Sequence, residues 1–389
     1  MSGFLFVVPP LVGHVNPTVG VAAELVARGH RVAWVCPDPE LVGRLAGPDA
    51  RVFACAGAVK GERPAELRGP EALKFLWEWY LLPLAEAMAP GVRAAAEEFR
   101  PDVVVADQQA FAGAFTAERL GLPWATSATT SAEFTDPLAG LPKVREWVDG
   151  RLAALRALLG DPARTTDPRF SPHLVLGFSA AELAGPAEGV RWVGPSITAR
   201  PEASGFPWEW LDAGRATVLV SLGTANTDVG ERFLDVCRSA LRERADQVQA
   251  LIVDPGGTLG AAEGGEDDKD VLVVPSVPQL ALLERGVDAV VCHAGHNTVC
   301  EALWHGVPLV VAPIRDDQPV VAGQVVDAGA GVRVRFGRVT AERLGAALDA
   351  VLHGPEYWAA ADRIGSAFRA AGGAPAAADH LDELARESG

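Results

Sequence analysis

A chain of 389 residues is long enough for two domains with separate cores, and a hydrophobic fraction of 49% places it among globular proteins. A net charge of −16 at pH 7, with no basic stripe, excludes a nucleic-acid binder, which must neutralise phosphates with clustered cations. The five cysteines are scattered without pairing rhythm, which fits free thiols in a reducing compartment and argues against a disulfide framework. The N-terminus enters a strand with no basic n-region, and no apolar stretch approaches membrane-spanning length. The expectation is a cytosolic protein without a membrane span. In so acidic a chain any phosphate site must be built locally.

Phe4–Val8 (FLFVV) reads as a buried strand and Pro9–Val15 (PPLVGHV) as the loop at its carboxyl end. Asn16 can cap the next helix, with Pro17 at its first position and Gly29 at its end; Val32–Cys36 is the second strand. A dinucleotide-binding turn would carry G-x-G-x-x-G here, but Gly13 and Gly20 are seven apart, which disfavours a nicotinamide enzyme. The turn carries His14 instead. That residue titrates near neutrality and can act as a general base, although a loop histidine without chemistry fits the spacing equally.

Within Glu71–Gly91 the residues Phe75, Trp77, Trp79, Tyr80, Leu81, Leu82 and Met88 exceed the apolar width that one helix face buries. With Phe111, Phe115 and Phe134 they read either as core or as the wall of a greasy small-molecule pocket. Pro101–Asp107 (PDVVVAD) is a buried strand ending in a carboxylate at the same sheet edge as His14. Asp107 either orients the imidazole or caps the Gln108–Leu120 helix. Asp136–Arg169, helical over Arg151–Leu159, reads as a mobile flap, and Trp192–Pro207, rich in Pro, Gly and Ser, as an interdomain linker.

After the linker the α/β pattern restarts. Thr217–Val220 is a strand entering the polar turn Ser221-Leu222-Gly223-Thr224, ahead of a Gly230–Arg242 helix. Ala250–Asp254 and Val271–Val274 are strands joined by Gly256–Asp270, whose Asp268-Lys269-Asp270 formally matches a metal-binding D-x-D but reads as a solvated acidic loop. Val277-Pro278-Gln279 follows the second of them. Val287–Cys292 is a strand, His293-Ala294-Gly295 a tight turn, and Asn297–His305 a helix stopped by Gly306 and Pro308 before the strand Leu309–Ala312. This βαβ unit aims the amides near Asn297-Thr298-Val299 out of a helix N-terminus, which suits a phosphate. Glu301, one turn deeper, can accept from hydroxyls, and Asp316-Asp317-Gln318 reaches the same edge. Together these groups suit a nucleotide sugar. A zinc site from Cys292, His293, His296, Cys300 and His305 matches no common ligand spacing.

HAGHNTVCEALWHGVPLVVAP followed by DDQP resembles the donor-binding signature of the UDP-glycosyltransferase superfamily, and is most similar to bacterial members that decorate natural products. The resemblance spans nearly the whole chain, strongest over 272–335 and Phe4–Arg31 and weakest over 55–95 and 135–190. It implies an α/β protein of two Rossmann-like domains facing across a cleft, the GT-B fold. An N-terminal acceptor-binding domain over 1–200, joined by the C-terminal helix 373–389, would precede a nucleotide-sugar domain over 208–372. It also implies metal-independent, inverting transfer of a sugar from a TDP- or UDP-linked donor to a hydroxyl of an apolar small molecule, with no other cofactor.

By the family's motifs, His14 in GHVNP is the base and Asp107 steadies its imidazolium. Ser221, Thr224, His293 and Thr298 hold the diphosphate, with Gly295 and Asn297 shaping the loop. Val277 and Gln279 recognise the pyrimidine, Glu301 the ribose, and Asp317 with Gln318 the sugar. Phe75, Trp79, Met88, Phe111 and Phe134 are the acceptor-side candidates. His296 stands where plant members carry tryptophan, and its role is open. A nucleotide-sugar epimerase of similar architecture and a non-catalytic ligand-binding protein remain as alternatives, distinguished by whether His14 has work to do. TDP against UDP, the sugar and the oligomeric state stay open at this level.

Overall fold

The computed structural model describes residues 1–58, 64, 67, 69–198, 205–223, 230–259 and 269–387. The chain divides into two compact units, one of Met1–Ala181, Gly185–Thr198 and Phe368–Gly389, the other of Glu182–Ala184 and Ala199–Ala367.

The first unit is built on seven parallel strands: β1 (Gly3–Val7), β2 (Arg31–Cys36), β3 (Val52–Ala54), β4 (Val103–Asp107), β5 (Trp124–Ala128), β6 (Leu174–Gly177) and β7 (Val190–Trp192). Their order is β3-β2-β1-β4-β5-β6-β7. The runs FLFVV and VVVAD are apolar without alternation because helices cover both faces of a parallel sheet. Phe4, Phe6 and Val105 face Val15 and Leu25 of the Val12–Ala27 helix and Ala377, Ala378 and Leu381 of the Gly373–Glu387 helix. Leu5, Val7 and Val104 face Leu84, Met88 and Val92 of the Leu82–Phe99 helix. The C-terminal helix is thus part of this unit's core, and Arg28 adds bonds to Asp379 (2.7 Å) and Asp382 (3.0 Å).

The second unit repeats the plan with β8 (Ala216–Ser221), β9 (Val248–Val253), β10 (Val271–Val274), β11 (Ala289–Cys292), β12 (Leu309–Val311) and β13 (Gly331–Arg333). The order is β10-β9-β8-β11-β12-β13. In each sheet the strand order reverses once, between β1 and β4 and between β8 and β11, while all strands stay parallel. In open α/β sheets the carboxyl ends of the strands at such a reversal are where ligands bind.

Three local expectations change. The first helix opens at Val12, not after Asn16, because the extended Leu11 offers its carbonyl to the amides of His14 and Val15 (both 3.0 Å). His14 therefore sits in the first helical turn instead of a loop, and Pro17 lies inside the helix. Second, the crowded aromatic stretch is two helices, Gly69–Leu76 and Leu82–Phe99, joined by a π-helical turn at Trp77–Leu81. The wider turn rotates the apolar face, so one stretch serves two clusters.

Third, the segment expected as a mobile flap is a packed helix, Pro142–Leu159. It buries Val148, Leu152 and Leu155 against Trp77, Phe111 and Phe115. The almost wholly buried Arg156 pairs with Glu118, which also accepts from Thr166 Oγ1 (2.9 Å). Among the described residues no helix is long and apolar enough to cross a membrane.

Candidate functional site

β1 and β4 run side by side in the register Val7↔Ala106, which brings Asp107 to the sheet edge beneath the start of the Val12–Ala27 helix. There His14 Nδ1 lies 2.9 Å from Asp107 Oδ2, with the carboxylate side chain fully buried and the imidazole 15% exposed. Asp107 Oδ2 also accepts from Thr129 Oγ1 (3.1 Å), which is itself 2.9 Å from His14 Nδ1. Asp107 Oδ1 accepts from the amide of Gln109 (2.8 Å). The next helix begins at Phe111 with Ala110 as its cap, so the capping role weighed for Asp107 belongs to no side chain. With Nδ1–H donating to the carboxylate, the basic lone pair is on Nε2. Thr129 was not foreseen: it follows β5, and only the register Asp107↔Ser127 carries it to this point.

In the second unit the register Ser221↔Cys292 sets the end of β8 beside the end of β11. His293 leaves β11, Ala294 adopts a left-handed φ of +66°, and Gly295 opens the His296–Trp304 helix. A non-glycine residue in that region carries about 1–2 kcal/mol of strain, retained where the surroundings dictate the turn. The His293 ring lies between two glycines. A Cβ on Gly295 would stand 2.3 Å from its Nε2, and one on Gly223 2.7 Å from its Cε1. His293 is buried, and its Nδ1 has no hydrogen-bond partner among the described residues.

Burial pushes the His293 imidazole down to about 4, the positive charge of Arg315 adding to the effect and the Ser221 backbone opposing it. At pH 7 this ring is neutral. It can donate a hydrogen bond to a phosphate but brings no charge, so the positive potential here comes from the amides that open the His296–Trp304 helix and from the nearby Arg315.

Gln279 Nε2 donates to the buried Glu301 Oε2 at 2.6 Å, joining two expected donor-side residues. Gln279 starts the Gln279–Gly286 helix, and its own amide bonds the Val277 carbonyl (2.9 Å). Thr298 and Asn297 lie half-buried in the first turn of the His296–Trp304 helix. Gln318 begins the Gln318–Asp327 helix with Asp317 as its cap. Its Oε1 accepts from the amides of Ile314 (2.9 Å) and Arg315 (3.0 Å), so this end of the side chain staples the loop after β12. Thr224 and Asp268 lie outside the described residues. His296 Nε2 lies 3.4 Å from Cys300 Sγ, and among the described residues no group of three or more His, Cys, Asp or Glu is arranged to hold a metal ion.

Residues 198–370 match the family model for UDP-glucoronosyl and UDP-glucosyl transferase, and residues 13–159 match a glycosyl transferase 4-like domain. Demethyllactenocin mycarosyltransferase of Streptomyces fradiae is 32% identical to this chain, with 99% of the chain and 87% of that protein covered. The chain belongs to the UDP-glycosyltransferase superfamily. Within it the chain falls among natural-product glycosyltransferases. The 4'-demethylrebeccamycin synthase of Lentzea aerocolonigenes is 31% identical, covering 96% of this chain and 97% of that one. The crystal structure of the glycotransferase of kitacinnamycin aligns with a TM-score of 0.81 at 28% identity, over 98% of each chain. The two parallel-sheet α/β units are those of the GT-B class.

The aromatic candidates of this glycosyltransferase do not form one wall. Met88 is fully buried beneath β1 and β4, and Phe111 is buried against Trp77 with ring centroids 5.7 Å apart. Both are core residues, corrected from the acceptor-side expectation: Met88 lies on the sheet-facing side of the Leu82–Phe99 helix, and Phe111 opens a separate helix, Phe111–Leu120, that packs on Trp77. Phe75 stacks on Trp79 (6.0 Å), which is 60% exposed. Phe134 packs elsewhere, on Phe170 (5.7 Å) and Trp192 (5.2 Å).

The buried, neutral His293 has a measurable consequence. The folded imidazole protonates at about 4 and the unfolded one near 6.5, so between these values the unfolded chain binds more protons. The glycosyltransferase therefore loses stability as pH falls through that window, by about 3 kcal/mol at most. Urea midpoints of wild type and His293→Gln at pH 7 and pH 4.5 check this. The wild type should fall further than the variant, and parallel losses would contradict a neutral buried ring.

Proposed function

We propose that this chain is a cytosolic, inverting glycosyltransferase. It moves a sugar from a TDP- or UDP-linked donor to a hydroxyl of an apolar small-molecule natural product, with no metal or further cofactor. The observation that carries the reading is the 2.9 Å contact between His14 Nδ1 and the buried Asp107 carboxylate at the reversal point of the first sheet. A carboxylate there selects the tautomer whose Nε2 can take a proton and stabilises the imidazolium that results.

In the proposed step the acceptor hydroxyl gives its proton to His14 Nε2 as its oxygen forms a bond to the anomeric carbon. The bond from that carbon to the diphosphate oxygen breaks on the opposite side, and the electron pair leaves with the nucleoside diphosphate. The anomeric configuration is inverted, and no covalent enzyme intermediate forms. The charge developing on the leaving diphosphate is met by the amides opening the His296–Trp304 helix, by the Thr298 hydroxyl and by an N–H of His293. Ser221 and, by the family's motif, Thr224 are assigned to the same diphosphate. Gln279, with Val277, reads the base and fixes Glu301 for the ribose. Asp317 and the amide nitrogen of Gln318 are assigned to the sugar.

The test is incubation of the full chain with UDP-glucose or TDP-glucose and a panel of phenols, with and without a chelator. Expected products are free nucleoside diphosphate and a glycoside of inverted configuration, unaffected by the chelator. Loss of activity to the chelator, restored by magnesium or manganese, would remove the metal-free claim. An altered donor sugar without any glycoside would favour an epimerase, and binding without turnover a ligand-binding protein.

A further inference from the structure

His296 heads the helix whose opening amides are assigned to the diphosphate, yet its side chain has no part in that assignment. The imidazole is buried, and its Nε2 lies 3.4 Å from Sγ of Cys300, which is buried as well. Side chains four apart share a helix face, and each Cα–Cβ bond tilts toward the helix N-terminus, so Sγ is aimed back at the imidazole. At 3.6 residues per turn, Cys300 and the fully buried Leu303 lie within about 40° of His296 around the helix. Glu301 and Thr298 stand about 140–160° away from it. His296 is thus on the core face of this helix, and the side chains assigned to the donor are on another.

The start of the helix needs support. Its cap is Gly295, which has no side chain to accept from the first-turn amides, and no acidic side chain sits in that turn. The residue before the cap, Ala294, holds the left-handed φ of +66°. A helix start without a side-chain cap is less well held, and here the preceding turn is strained besides. The backbone bond from the Val299 amide to the Gly295 carbonyl (3.1 Å) closes the first turn, and the His296–Cys300 contact ties that turn to the next.

We propose that His296 is a positioning residue for the donor diphosphate. Its contact with Cys300 holds the first turn so that the amides keep their aim at the phosphates, and the imidazole itself touches no ligand atom. This rests on the glycosyltransferase reading above and gives His296 a role through the backbone. The effect falls on phosphate recognition and spares the nucleoside, because Glu301 is on another face of the helix and is held separately by Gln279 (2.6 Å).

The test is calorimetric titration of the full chain with UDP and TDP, and with uridine and thymidine as probes that lack the diphosphate. His296→Ala and Cys300→Ala should each weaken UDP and TDP binding about 3–10-fold, the size of one neutral hydrogen bond, and leave nucleoside binding within about twofold. The double variant should bind UDP and TDP no more weakly than the worse single variant, because both changes remove one contact. His296→Gln, whose amide can reach Sγ, should bind within about twofold of wild type. Cys300→Ala carries the test if His296→Ala does not fold. Equal losses for nucleoside and nucleoside diphosphate would mean general loosening of the unit and would overturn the proposal. So would additive losses in the double variant, or a His296→Gln variant as weak as His296→Ala. A wild type that binds UDP or TDP, with both single variants unaffected, sinks the His296 assignment alone. A wild type that binds neither sinks the reading beneath it as well.

Discussion

Replacing His14 by alanine should lower turnover by about 10²–10⁴-fold while leaving nucleoside-diphosphate affinity intact, because general-base assistance is typically of that size. The separation of effects follows from where the residues are. His14, Asp107 and Thr129 belong to the first unit, whereas His293, Thr298, Gln279 and Glu301 belong to the second. Asp107→Asn tests the geometry more sharply. An asparagine can turn its NH₂ toward Nδ1, which would place the ring proton on Nε2, where it blocks proton uptake. The loss should be large for an alcohol and smaller for an acidic phenol, which needs little help in losing its proton. Thr129→Val removes one donor to Asp107 but leaves the 2.9 Å contact with His14, so about tenfold or less is expected. Steady-state rates on both acceptor types, with donor affinity by calorimetry on the same preparations, provide the check. Near-normal turnover of His14→Ala with an alcohol would refute the base assignment.

Gly295→Ala should damage donor binding and stability together. The added Cβ would stand 2.3 Å from Nε2 and 2.7 Å from Cε1 of the buried His293 ring, so the ring must shift within a packed surrounding. Overpacking of this kind costs about 1–3 kcal/mol, and losing the charge-assisted bond from His293 to a phosphate costs about 1.5–3 kcal/mol more. A fall in nucleoside-diphosphate affinity of 10-fold or more, together with a lower Tm, is the expected outcome. His293→Ala, which removes the bond without the clash, should lose affinity but keep Tm. If Gly295→Ala bound as tightly as wild type, His293 would have no part in holding the diphosphate. Calorimetric titration with UDP and TDP measures both variants.

The expected strands and the βαβ unit at Val287–Ala312 were readable because their causes are local. Short β-branched apolar runs without alternation, bounded by turn residues, fit strands covered on both faces, and Gly306 followed by Pro308 fits the end of a helix. The order of His293, Gly295, Asn297, Thr298 and Glu301 along one turn and helix was equally readable, since helix geometry alone brings them to one end.

What lies across strands or depends on burial was decided by the tertiary structure. No spacing announces that Thr129 meets Asp107, or that Gln279 reaches Glu301 at 2.6 Å. Those contacts come from parallel register and crossover helices, which place residues far apart in the chain at one sheet edge. The charge state of His293 was also invisible, because its neutrality comes from enclosure between Gly223 and Gly295 and from the nearby Arg315. The greasy stretch around Trp77 had two meanings in sequence, core or pocket. Tertiary packing chose core for Met88 and Phe111, because apolar pattern records how much surface must be buried but not against what.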